Sequence, residues 1–159
     1  MTEKLLNPQK LLRPLSTRPW PERWLTRLLG AALAAAVYRL CLPWDLRNHA
    51  DTPGSIIETT PVSGPGVIVL AVLLLALAAY FGHRDALAWP LLVVAVPPVT
   101  LMYVSFRTHA DAPDADPWAL AWAFFALLIS AGALVAAGVA RSFREERADD
   151  GWVVRAHQL

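Results

Sequence analysis

The sequence predicts an all-α membrane protein, a bundle of four transmembrane helices with both termini in the cytoplasm. Three observations carry that prediction. Four long apolar runs are separated by short polar segments, at about 24–42, 65–81, 87–106 and 118–140. Each is near the roughly 20 helical residues that cross a hydrocarbon core about 30 Å thick. Composition agrees, with 56% hydrophobic residues, 17% charged residues and a mean hydropathy of +0.41. Finally, unbroken apolar runs of this length fit helices, which satisfy their own backbone amides in lipid, and not the alternating strands of a barrel.

The chain divides into an arm at 1–22, a membrane domain at 23–140 and a tail at 141–159, with outer loops at 43–64 and 107–117. At 159 residues it has no room for a separate soluble domain. The arm repeats Lys4-Leu5-Leu6-Asn7-Pro8 as Lys10-Leu11-Leu12-Arg13-Pro14, and Pro8, Pro14, Pro19 and Pro21 forbid one continuous helix. Its basic and leucine clusters suit an anionic inner leaflet. A cleaved signal peptide is not expected, because the first apolar run starts late and is longer than a signal core.

Span 1 carries Gly30 with Ala34 and Ala31 with Ala35 at four-residue spacing, the pattern that lets membrane helices approach closely. Span 2 is short unless Val62 to Gly66 extends it. Span 3 holds Pro97-Pro98 at its centre. Two missing amide donors there predict a kink, and Thr100 and Ser105 add hydroxyls near it. A kink repaired by neighbouring groups is the stronger reading than a conduction path. Asp116-Pro117-Trp118 reads as the cap and first turn of span 4. That span also repeats small residues, at Gly132, Ala136, Ala140 and at Ala133, Ala137. Arg144-Glu145-Glu146-Arg147 extends the helix, and Gly151 is expected to end it. Trp20, Trp24, Trp44, Trp89 and Trp118 fall near span ends, where indoles anchor at headgroups.

Orientation follows from the basic residues, which stay on the cytoplasmic side of span ends. Eleven of them, Arg27 and Arg84 included, fall on the side of the termini. Only Arg39, Arg47 and Arg107 fall on the other, together with six acidic residues. The plasma membrane, as a multi-pass protein of the bacterial inner membrane, is the expected location; twelve arginines against two lysines fit a GC-rich bacterial genome.

The loops contain the most unusual motif. Arg47-Asn48-His49-Ala50-Asp51-Thr52-Pro53 returns 60 residues later as Arg107-Thr108-His109-Ala110-Asp111-Ala112-Pro113, each copy following an odd-numbered span. Two duplicated helical hairpins would explain the register. His49, Asp51, His109 and Asp111 together could ligate a divalent metal such as zinc, because residues two apart share one face of an extended segment. The plainer reading, solvated ion pairs and turn caps, is the stronger one.

The remaining features exclude more than they assign. Cys41 is the only cysteine, so no internal disulfide or paired-cysteine redox centre exists. No Asp, Glu, Lys or His lies near a predicted midplane, which counts against proton-coupled carriers and against haem-ligating bundles. No nucleophile triad or phosphate-cradling loop appears, so the chain is expected to be no enzyme, and it shows no nucleic-acid signature. The favoured function is an accessory or scaffold subunit of a larger membrane complex. It would contact lipid and other membrane subunits through small-residue faces and its tails. The alternatives are an outward-facing metal or cation binding module and a small channel or transporter component.

Overall fold

The protein is described by a computed structural model for residues 18–46, 49–50, 58–59, 61–108 and 118–156, with side chains described for 18–46, 61–108 and 118–143. Among the described residues, four helices are long and apolar enough to cross a membrane. They are α1 (Trp20–Cys41), α2 (Gly64–Arg84), α3 (Ala88–Thr108) and α4 (Trp118–Ala156). Between α1 and α2 the chain forms a small antiparallel ladder, β1 (His49–Ala50) with β2 (Glu58–Thr59), pairing His49 with Thr59 and Ala50 with Glu58. The apolar-run reading does not anticipate this ladder, since it lies in the polar loop.

Local chemistry explains the boundaries. Pro21 sits in the first turn of α1, where its missing N–H costs nothing. At α2 the Ser63 hydroxyl accepts the Gly66 N–H at 3.2 Å, and Pro65 occupies the first turn. The helix therefore starts before the apolar stretch does, supplying the length that span 2 lacks. The Asp85 N–H donates to the Phe81 carbonyl at 2.8 Å and closes α2. Only three residues then separate α2 from α3, so these helices form a tight turn. This end of the bundle, with the start of α1 and the point where α4 leaves, is called the turn end; the opposite end is the loop end.

In α3 the proline pair is accommodated by a bulge. Residues Leu91–Ala95 form one π-helical turn immediately before Val96-Pro97-Pro98, with the Val96 N–H bonding the Leu91 carbonyl. Widening the ring just before the prolines relieves their clash with the carbonyls of the preceding turn. The two hydroxyls nearby are spent on the backbone: Thr100 donates to the Val96 carbonyl at 2.8 Å, and Ser105 to the Trp44 carbonyl.

The core is thin and built from small and aromatic residues, with Ala34, Tyr38, Ala78, Phe81, Val94 and Ala137 almost wholly buried. Both small-residue patterns face inward. Gly30 lies under Phe81 and Val93, so that a Cβ there would come within 2.5 Å of the ring. At Gly82 a Cβ would land on the backbone of Ala137, which brings α2 and α4 into backbone contact. The large apolar side chains point the other way. Leu28, Leu33, Leu40, Ile68, Leu120 and Leu127 are each more than half exposed, and only 11% of the α4 span is buried. Such an outward apolar surface suits hydrocarbon as solvent.

Two expectations change here. Gly151 does not end α4, which continues to Ala156; one glycine costs only about 1 kcal/mol in a helix interior and does not by itself break one. Asp116 and Pro117 lie outside the described residues, and the described part of α4 begins at Trp118.

Candidate functional site

The most heavily organised polar site is at the turn end. It starts from Arg27, in the second turn of α1, and Asp85, the residue that caps α2. The Arg27 Nε and Nη2 both donate to Asp85 Oδ2, at 2.8 and 2.6 Å, with the two side chains 5% and 7% exposed. The other carboxylate oxygen, Oδ1, accepts the Ala86 N–H at 2.9 Å. The flat face of the guanidinium lies 3.4 Å from the centre of the Trp89 ring and 5.6 Å from that of Trp24. The two indoles meet edge to face at 5.6 Å. One cation thus joins α1, the α2–α3 turn and the first turn of α3.

The backbone explains why these groups converge. Asp85 adopts an extended conformation at the helix end and hands its side chain back toward α1, while the Trp89 N–H bonds the Ala86 carbonyl at 3.0 Å and closes the turn. Beside this pair a second contact set lies on the last turns of α2, and one of its bonds reaches α4. Arg84, 3% exposed, donates to the Tyr80 hydroxyl and lies 5.0 Å from that ring. His83 Nδ1 is 3.2 Å from the Ala140 carbonyl. A carbonyl only accepts, so that bond requires the proton on Nδ1.

Chemically, the cluster is a lock. Asp85 accepts hydrogen bonds at both oxygens, and Arg27 is both stacked and paired, so the two side chains hold α1 to the α2–α3 turn. Buried ion pairs hold only when such additional bonds and good geometry offset the loss of water. Among the described residues no three His, Cys, Asp or Glu side chains converge on a metal-sized space.

The loop residues proposed as metal ligands are differently placed. His49 begins β1, so its backbone is extended; its side chain, and Asp51, His109 and Asp111 altogether, lie outside the described residues. Sequence reasoning, for its part, misses the Arg27–Asp85 pair. It counts Arg27 among flanking charges, whereas the helix buries it to 4% exposure. A signal was present: an arginine one turn inside an apolar run, and an aspartate just past the end of the next run on the same side.

At the loop end the helices are held by neutral groups. The Tyr103 ring meets Trp118 and Trp122 edge to face at 5.8 and 5.3 Å, and Trp122 Nε1 donates to the Val99 carbonyl at 3.1 Å. Between α2 and α4 at this end lies an apolar cleft of about 480 Å³.

No protein-family model matches the chain, and no curated protein or solved structure matches it either.

Proposed function

We propose that this chain is a non-catalytic accessory or scaffold subunit of a larger membrane assembly, in the bacterial plasma membrane with both termini in the cytoplasm. The observation that supports this best is the length of α4. Its 39 residues extend about 58 Å at 1.5 Å per residue, while a hydrocarbon core is about 30 Å thick. Residues 144–156 continue the helix past the apolar span. Their sequence is rich in both charge signs, as Arg144, Glu145, Glu146, Arg147, Asp149 and Asp150, and ends near Trp152-Val153-Val154. A mixed-charge helix that also carries apolar residues suits docking to a protein surface.

The polar cluster of the turn end supports the same reading from the other direction, since its groups are engaged in holding helices together. Orientation rests on the basic bias of the sequence, and a reporter fused at Leu159 responds only if that end is cytoplasmic. The function is tested by purifying tagged chain from its native membrane in mild detergent, intact and truncated after Phe143. A stoichiometric partner retained by the intact chain and lost on truncation is expected. Recovery of the intact chain alone, even after cross-linking in the membrane, overturns the proposal.

A further inference from the structure

We infer that the cleft between α2 and α4 binds one acyl chain of a phospholipid from the leaflet at the loop end. The cleft opens where backbone contact between the two helices gives way to side-chain contact. At Gly82 and Ala137 their backbones are in contact, and by Leu75 and Gly132 an added Cβ would already meet only ordinary packing at 3.5 Å. From there to the loop end the walls are lining residues of α2 and α4, with α3 behind them.

Three properties define the occupant. The floor is deep and dry: Leu70, Leu74, Val94, Met102 and Ala133 line it at 7% exposure or less. The mouth is lateral, because Val67, Leu75, Phe125 and Leu128 line the same cleft and are each at least 43% exposed on the lipid-facing surface. Every lining side chain is apolar, so water entering would forfeit the two to four polar partners it needs. The cleft, about 480 Å³ and open along the lipid-facing side, suits a flexible hydrocarbon chain lying along α2 and α4.

Basic side chains at the same end of the bundle as the cleft favour an anionic headgroup. Arg39 is exposed and stacks 4.4 Å from the ring centre of Trp44, which lies in the chain between the lining residues Leu42 and Leu46. Arg107 is exposed, directly follows the lining residue Phe106 and donates to the Tyr103 hydroxyl at 2.9 Å. Two exposed guanidiniums on residues next in the chain to, or stacked beside, the segments that line the cleft suit a phosphate whose acyl chain lies within it.

The test uses the isolated full chain, so its outcome is independent of whether any protein partner exists. Chain purified in mild detergent is delipidated, exposed to phosphatidylglycerol vesicles, re-extracted and weighed by native mass spectrometry. One phospholipid retained per chain is expected. Ala71→Phe, which projects a ring into the cleft, should lower retention at least tenfold, and Gly132→Leu serves as a second filler should the first lose helicity or thermal stability. Arg39→Gln/Arg107→Gln should lower phosphatidylglycerol retention several-fold while leaving uptake of uncharged diacylglycerol unchanged. Wild-type chain that takes up no lipid, fillers that retain as much as wild type, or a cross-link from the cleft to a neighbouring protein each overturn the inference. An arginine variant that loses both lipids equally overturns the assignment of the headgroup.

Discussion

The two ends of the bundle solve the same packing problem with different chemistry. At the turn end, α1, α2 and α3 meet around a stacked and doubly bonded ion pair, and α2 touches α4 backbone to backbone at Gly82. At the loop end the ties are a tyrosine between two indoles and side-chain bonds from Trp122 and Ser105 to backbone carbonyls. Beside them α2 and α4 enclose open apolar space. Lipid tails are as apolar as leucine, so helices in a bilayer gain little from the hydrophobic effect on meeting. Close approach and polar bonds must hold them. Between α2 and α4 the closest approach falls at the turn end, at Gly82, whereas at the loop end α2 approaches α1, where a Cβ on Gly66 would meet the Cys41 carbonyl at 2.5 Å. The contrast teaches that α2 and α4 are pinned to each other at the turn end, while at the loop end other helix pairs carry the ties and α2 and α4 line an apolar cleft.

The largest effect should come from breaking the ion pair on one side. Asp85→Ala leaves the Arg27 guanidinium buried without its carboxylate, a change that costs about 3–5 kcal/mol in buried pairs. Unfolding by SDS titration in mixed micelles should report that loss. Removing both charges, as Arg27→Met/Asp85→Leu, should restore most of the stability, since apolar replacement of a buried pair is often neutral. If the double variant is as unstable as the single one, the pair does more than hold helices, and the description of the cluster as a lock fails.

A smaller loss is expected from separating α2 and α4 at their closest approach. Gly82→Val inserts a branched side chain where even a methyl group has no space, and the obstruction is Ala137 backbone, which cannot swing aside. Overpacking typically costs about 1–3 kcal/mol. Gly138→Val is the control, because a Cβ there meets nothing within 4 Å; the same titration should leave it near wild type. Equal effects at both glycines would mean that helix propensity, not close packing, sets the stability.

The sequence makes one of these ends more legible than the other, for a physical reason. Apolar runs report the spans directly, because the bilayer imposes length and polarity on each helix alone, and all four helices lie where the runs predict. The small residues at Gly30, Ala34, Ala133 and Ala137 also announce the faces that meet. The Arg27–Asp85 pair is harder to read, since it joins residues 58 apart and depends on how α1 and the α2–α3 turn are set against each other. The π-helical turn before Pro97 shows the same limit: the prolines predict a disturbance, but whether it becomes a kink or a bulge is decided by packing. The repeated His and Asp motif is fully visible in the chain, yet only the His49 backbone falls among the described residues, so its bearing on a metal rests on the sequence alone.

The smallest effect, and one of opposite sign, is expected in the last turn of α1, at the loop end. The Tyr38 side chain on α1 is 1% exposed, and its hydroxyl has no hydrogen-bond partner among the described residues. A buried hydroxyl without a partner loses the bonds it would make elsewhere, and removing it while keeping the ring relieves that penalty. Tyr38→Phe should therefore leave stability unchanged or raise it by about 1 kcal/mol, against the usual trend for core substitutions. A clear loss of stability in the same SDS titration would mean that the hydroxyl is bonded in the bilayer. The polar ties at the loop end would then include one from α1.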